Sequence, residues 1–104
     1  MDRIEQLKAF AETKPSDPFP RYALALEYRK QGQPEAAQTV FDELLTSYSE
    51  YLATYLMCGQ NLIALNRRSD AAGVLQRGIA LASKQGNMHA KAELEGALAE
   101  IDGA

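Results

Sequence analysis

The chain has 104 residues, 46% of them hydrophobic and 24% charged, with a formal net charge of −3. That length suits one domain burying roughly 65% of the surface its unfolded form exposes, and the mixture of apolar and scattered charged residues excludes a disordered segment. A net acidic chain without clustered Lys and Arg is not built for a polyanion, so no nucleic-acid partner is expected, and no apolar run approaches the roughly 20 residues of a membrane span.

The amino terminus, residues 1–8, holds no apolar stretch of signal-peptide length, which makes the cytoplasm the expected address. The first predicted helix begins at Asp2 and ends at Lys14. Ser16-Asp17-Pro18-Phe19-Pro20 forbids a helix running through it yet starts one well, with Asp17 as N-cap and Pro18 in the first turn. From Tyr22 to Tyr28 apolar residues crowd together without strand-like alternation, and Lys30-Gln31-Gly32-Gln33-Pro34 then stops one helix and starts the next. Gly32 can take the left-handed conformation past a helix end, and Pro34 suits a first helical turn. Ala36, Ala37, Val40, Phe41, Leu44 and Leu45 recur at three- and four-residue spacing, an apolar stripe that packs back on the preceding helix.

Tyr51 to Leu65 carries Leu52, Tyr55, Leu56, Gly59, Leu62 and Ile63 on adjoining turns, and Asn66 replaces the turn glycine, since Asn tolerates the left-handed cap better than most residues. Ala71, Val74, Leu75, Gly78, Ile79 and Ala82 line the partner helix. Gly86 stops it and Asn87 caps a last helix, in which Ala90, Leu94, Ala97, Leu98 and Ile101 share one side while Glu93, Glu95, Glu100 and Asp102 turn to water.

The chain can be laid on itself at a shift of 34 residues without a gap: Leu24 falls on Cys58, Ala25 on Gly59, Ala37 on Ala71, Val40 on Val74 and Phe41 on Leu75. A fixed period of this length marks stacked helical hairpins, each too small to bury its own apolar face. Ala25, Gly59, Ala37 and Ala71 are the small residues that let paired helices lie close.

Leu24, Ala25, Tyr28, Ala37 and Phe41 in residues 18–51, and Tyr55, Gly59, Leu62, Ala71, Leu75 and Gly78 in residues 52–85, resemble the tetratricopeptide repeat motif. The chain departs from it at Arg21, where an aromatic is common, and at Ser49, where proline is usual. The resemblance implies an all-α, right-handed superhelical stack of antiparallel helix hairpins, an α-solenoid of about six helices in a single domain. Its frame makes residues 1–17 a half repeat, with Leu7 and Phe10 at core positions and Pro15 at the terminal proline. Residues 18–51 and 52–85 are then the two full repeats and residues 86–104 a C-terminal capping helix.

Catalytic chemistry is scarce. His89 and Glu93 stand four residues apart on one helix face, but two ligands do not make a zinc site, and no second histidine or cysteine cluster completes one. In the repeat frame His89 takes the position of Tyr55, which favours packing. Cys58 falls where the repeat wants a small apolar side chain, and a buried thiol is a poor nucleophile. No glycine precedes a Lys-Ser or Lys-Thr pair as a phosphate loop requires, and Asp42-Glu43 reads as a solvated face. No enzyme, metal or cofactor is expected.

The resemblance also implies that the first helix of each hairpin lines a concave groove. The expected peptide-binding residues are Phe19, Tyr22, Leu26 and Arg29, then Leu56, Gln60 and Ile63, then Lys91 and Leu94. Of the positions that would form the family's carboxylate clamp, Tyr22, Leu26, Met57, Asn87 and Lys91, only Lys91 keeps the needed charge. An apolar or amphipathic segment of a protein or peptide partner is therefore expected in a non-enzymatic interaction module. The alternatives are a homodimerising structural domain whose groove is filled by a second copy, or a structural domain whose last helix tilts inwards and covers its own groove.

Overall fold

The computed structural model describes residues 2–103, which contain six helices and no strand: α1 (Arg3–Thr13), α2 (Phe19–Lys30), α3 (Pro34–Ser47), α4 (Ala53–Ala64), α5 (Arg68–Gln85) and α6 (Met88–Gly103). The residues up to Tyr51 form one compact unit and those from Leu52 a second. The division falls where the 34-residue frame begins its second copy.

Local chemistry sets the helix ends. Asp2 accepts a hydrogen bond from the Glu5 N–H at 2.9 Å, satisfying one of the free donors at the start of α1. Gly32, Asn66 and Gly86 all have positive φ, at 74°, 61° and 72°. Each lets the next residue's N–H reach back to a carbonyl five residues earlier: Gln33 to Tyr28 at 2.8 Å, Arg67 to Leu62 at 2.8 Å and Asn87 to Ala82 at 2.9 Å. Asn66 thus does what glycine does elsewhere, as its sequence position predicts. At the start of α2 the expected register shifts. Pro18 is the cap residue and Pro20 lies in the first turn, while the Asp17 carboxylate accepts from the Phe19 N–H at 3.0 Å.

In the first unit α1 packs on α2 and α2 on α3. Leu7, Ala11, Leu24, Ala25, Ala37, Phe41 and Leu44 form its core, with Ala25, Ala37, Phe41 and Leu44 fully buried. Arg21 ties the three helices together. Its guanidinium donates to Glu43 of α3 at 2.5 Å and to the Ala11 carbonyl of α1 at 3.1 Å, and lies 5.6 Å from the Tyr48 ring centre. The Ala11 carbonyl belongs to the last turn of α1, where no partner exists within the helix, so Arg21 supplies one. The Tyr48 hydroxyl in turn donates to the Pro15 carbonyl.

In the second unit α4, α5 and α6 all pack on one another. Its core is Tyr55, Cys58, Leu62, Ala71, Val74, Leu75, Ala82 and Leu94. Two glycines bring the helices close. A Cβ added at Gly59 would lie 2.6 Å from Leu75 Cδ2, and one at Gly78 would lie 2.6 Å from Tyr55 Cβ and 3.1 Å from Leu94 Cδ2. Only a hydrogen in place of a side chain allows those approaches.

Two core expectations fail. Phe10, assigned to a core position of the half repeat, is 56% exposed; Leu7 and Ala11 carry the buried side of α1 instead. His89, assigned to packing, has a side chain 89% exposed. Both sit on faces of α1 and α6 that no helix of their own unit covers.

Candidate functional site

The α2 residues proposed to line a groove, Phe19, Tyr22, Leu26 and Arg29, follow at three- and four-residue steps and so share one side of the helix. Phe19 is 58% exposed and the other three are half-buried. The Tyr22 ring stands edge-on to that of Tyr51, with centres 5.6 Å apart and planes at 70°, a favourable arrangement for two aromatic quadrupoles. Burial raises the Tyr22 phenol above its ordinary pKa, Tyr51 adds to the rise and Arg29 opposes it. Burial likewise raises Tyr51, and Asp17 adds to that. Both phenols therefore stay neutral well past physiological pH. They offer a ring face and a hydroxyl together.

In α4, Leu56, Gln60 and Ile63 also occupy one side and are half-buried. This strip is apolar at both ends and polar in the middle. The opposite side of α4 is the core side, carrying Tyr55, Cys58 and Leu62.

In α6 the frame needs correction. Leu94, nominated for the groove, is only 2% exposed and packs toward Gly78 of α5. Lys91 is half-buried beside it on the same inward stripe, with Ala90, Ala97, Leu98 and Ile101. The positions in α6 that match the buried side of α4, namely Met88, His89, Ala92, Glu93, Glu95 and Gly96, are all exposed. The last helix has turned its apolar stripe onto α4 and α5, so Leu94 serves the core. Asn87 does cap it, accepting from the Ala90 N–H at 3.0 Å.

The groups weighed for chemistry sit apart from these strips. Cys58 is in no disulfide and is fully buried. His89 Nε2 lies 3.5 Å from Glu93 Oε1, the two-residue pair visible in the sequence. Among the described residues no group of three or more His, Cys, Asp or Glu side chains could hold a metal ion, and no helix is long and apolar enough to cross a membrane.

Sequence inspection missed an open groove on α1. Arg3, Gln6, Leu7, Ala9, Phe10 and Thr13 line a depression of about 500 Å³, and a neighbouring one of about 340 Å³ extends past Phe10 to Phe19, Pro20 and Ala23 of α2. The signal was available. Arg3, Leu7 and Phe10 occupy the repeat positions that Ala37, Phe41 and Leu44 fill in α3.

Comparison with known proteins agrees with this architecture. The tetratricopeptide repeat family model matches residues 28–94. The crystal structure of a tetratricopeptide repeat domain protein from Salinibacter ruber is 34% identical, with a TM-score of 0.80 over 85% of this chain and 98% of that one. A solution structure of a tetratricopeptide repeat domain protein from the same organism is 35% identical, with a TM-score of 0.81 over 86% and 90% of the two chains. A Bordetella parapertussis protein shares the fold at 22% identity, with a TM-score of 0.82 over 98% of this chain and 89% of that one. No curated protein matches the sequence. With its hairpin turns, small-residue contacts and family match in agreement, the chain belongs to the tetratricopeptide repeat family.

Proposed function

We propose that this protein is a non-enzymatic interaction module that takes an apolar or amphipathic segment of a protein partner on the outer side of α2, the outer side of α4 being a second such strip in the other unit. Tetratricopeptide repeats are in general protein–protein interaction modules. The observation that carries the finer reading is the Phe19, Tyr22, Leu26 strip, where an aromatic 58% exposed continues into two half-buried apolar side chains. Such strips give up water readily, and aromatic anchors dominate binding energy at interfaces. Arg29 at the end of the strip and Gln60 in the middle of the α4 strip supply the polar contacts that orient a ligand. Acidic tails are not the favoured ligand, because Lys91 is the one cation at the positions of the carboxylate clamp.

The test is selection of peptides from a displayed random library against the wild-type chain, repeated with Tyr22→Glu and Leu56→Glu. The selected peptides should be apolar or amphipathic, and each should lose at least about tenfold in affinity on the variant of the strip it occupies, as expected for truncated or charged anchors. Far-UV circular dichroism should show unchanged helicity. Affinities that are the same for all three chains would remove the reading.

A further inference from the structure

Two helix faces stand open, and they are the complementary halves of one hairpin. Within the second unit the hairpin closes where Gly59 meets Leu75 and Gly78 meets Tyr55. A shift of 34 residues carries the closing face of α4, Tyr55, Cys58, Gly59 and Leu62, onto His89, Ala92, Glu93 and Gly96 of α6. The first set is buried and the second exposed. Two periods in the other direction carry Ala71, Leu75 and Gly78 of α5 onto Arg3, Leu7 and Phe10 of α1, which line the open groove of about 500 Å³.

The side chains on these faces suit one another. Phe10 corresponds to Gly78 and His89 to Tyr55, so two rings stand where the internal hairpin has one ring and a glycine, and the helices lie farther apart there. Leu7, only 7% exposed, is the floor of the groove, and Arg3, one turn earlier on its rim, brings a guanidinium to the Glu93 carboxylate. Both charges are available. The Arg3 side chain is 60% exposed and its ion pair with Glu27 spans 3.8 Å. Glu93 is 51% exposed and lies 3.5 Å from His89 Nε2. A Cβ at Gly96 would meet nothing within 4 Å, which leaves room beside Ala92 for the Phe10 ring.

We propose that the exposed α6 face of one molecule closes on the α1 face of a second copy, building between two molecules the hairpin that α4 and α5 build within one. The contact is heterologous, so each molecule brings one α1 face and one α6 face to the assembly. The Arg3–Glu93 pair fixes which faces meet, and salt weakens it. Arg3, Phe10 and Glu93 stand where Ala71, Gly78 and Gly59 stand in the internal hairpin, so the intermolecular hairpin is looser than the internal one. This surface borders the α2 strip, since Phe19 lines the depression that continues from Phe10, but Arg3 and Glu93 belong to neither strip and their variants leave the side chains of both strips unchanged.

The experiment is sedimentation velocity on the 104-residue chain from micromolar to millimolar concentration, at ionic strengths of about 0.01 M and about 1 M. Average mass should rise with concentration at low salt and fall back at high salt. Arg3→Glu and Glu93→Arg should each raise the apparent Kd at least about tenfold, because each sets like charges face to face. An equimolar mixture of the two variants, and the double variant R3E/E93R, should both recover association, since each restores opposite charges across the contact. A monomer at every concentration overturns the proposal. So does association that is unchanged in the single variants, or that neither the mixture nor the double variant recovers.

Discussion

The two units answer the same repeat frame with different chemistry. At the frame position shared by Arg21 and Tyr55, the first unit holds a cation that bonds Glu43 and the Ala11 carbonyl, while the second holds a ring pressed against Gly78. In the first the helices are tied by directional charged bonds between side chains that still see water. In the second they are joined by close contact that only glycine permits. A repeat position therefore specifies a place between helices. What fills it depends on the partners it meets there, and His89 at the same position in α6, with nothing of its own unit across from it, is simply solvated.

The sharpest way to break the comparison is at Gly78. Replacing it by Ala puts a Cβ 2.6 Å from Tyr55 Cβ, an atom fixed to the backbone that cannot swing aside. The expected loss is about 2 kcal/mol, the scale of overpacking in a close-packed core. Gly73 lies on the same helix, and a Cβ there would meet nothing within 4 Å, so Gly73→Ala should instead gain about 0.5–1 kcal/mol from helix propensity. Urea denaturation of both variants reads the opposite signs. Equal effects would show that the close contact is not what holds α4 to α5.

A smaller effect is expected at Arg21. Arg21→Met keeps the length of the stem but leaves the Ala11 carbonyl without its donor and Glu43 without its partner, at a cost of about 1 kcal/mol in the same measurement. Glu43 is 52% exposed, so water recovers much of its share. A loss as large as that at Gly78 would mean that the charged tie rivals the glycine contact.

The smallest effect is confined to alkaline solution. A phenol whose pKa is raised on folding holds its proton more tightly in the native state, so the stability it contributes is full below about pH 10 and is lost as pH climbs through the raised value. Tyr22 and Tyr51 are both raised, chiefly by burial. Tyr22→Phe should leave neutral stability nearly unchanged and flatten the decline above about pH 10. Thermal melts at neutral pH and in that alkaline range make the comparison.

What could be read from the sequence was what local chemistry decides. Gly32, Asn66 and Gly86 mark the turns because few residues tolerate positive φ, and Ala37, Phe41, Ala71 and Leu75 mark the hairpin cores because their spacing repeats. The apolar stripe of α6 was visible for the same reason. The errors lie at Phe10, His89 and Leu94, where periodicity gives the apolar positions but not which helix lies across from them. Middle repeats have neighbours on both sides. Carrying their frame onto α1 and α6 put Phe10 and His89 in a core and Leu94 on a surface, and the packing within each unit reversed all three.

Cys58 gives the second unit a built-in clock. It is the only thiol in the chain, it lies on the core side of α4 and it is fully buried. A maleimide or disulfide reagent can reach it when α4 parts from its neighbours, so labelling in native buffer reports the open fraction of that unit, and the opening rate itself once the reagent is concentrated enough to outpace reclosing. No probe has to be introduced, and the first unit, which has no cysteine, stays silent.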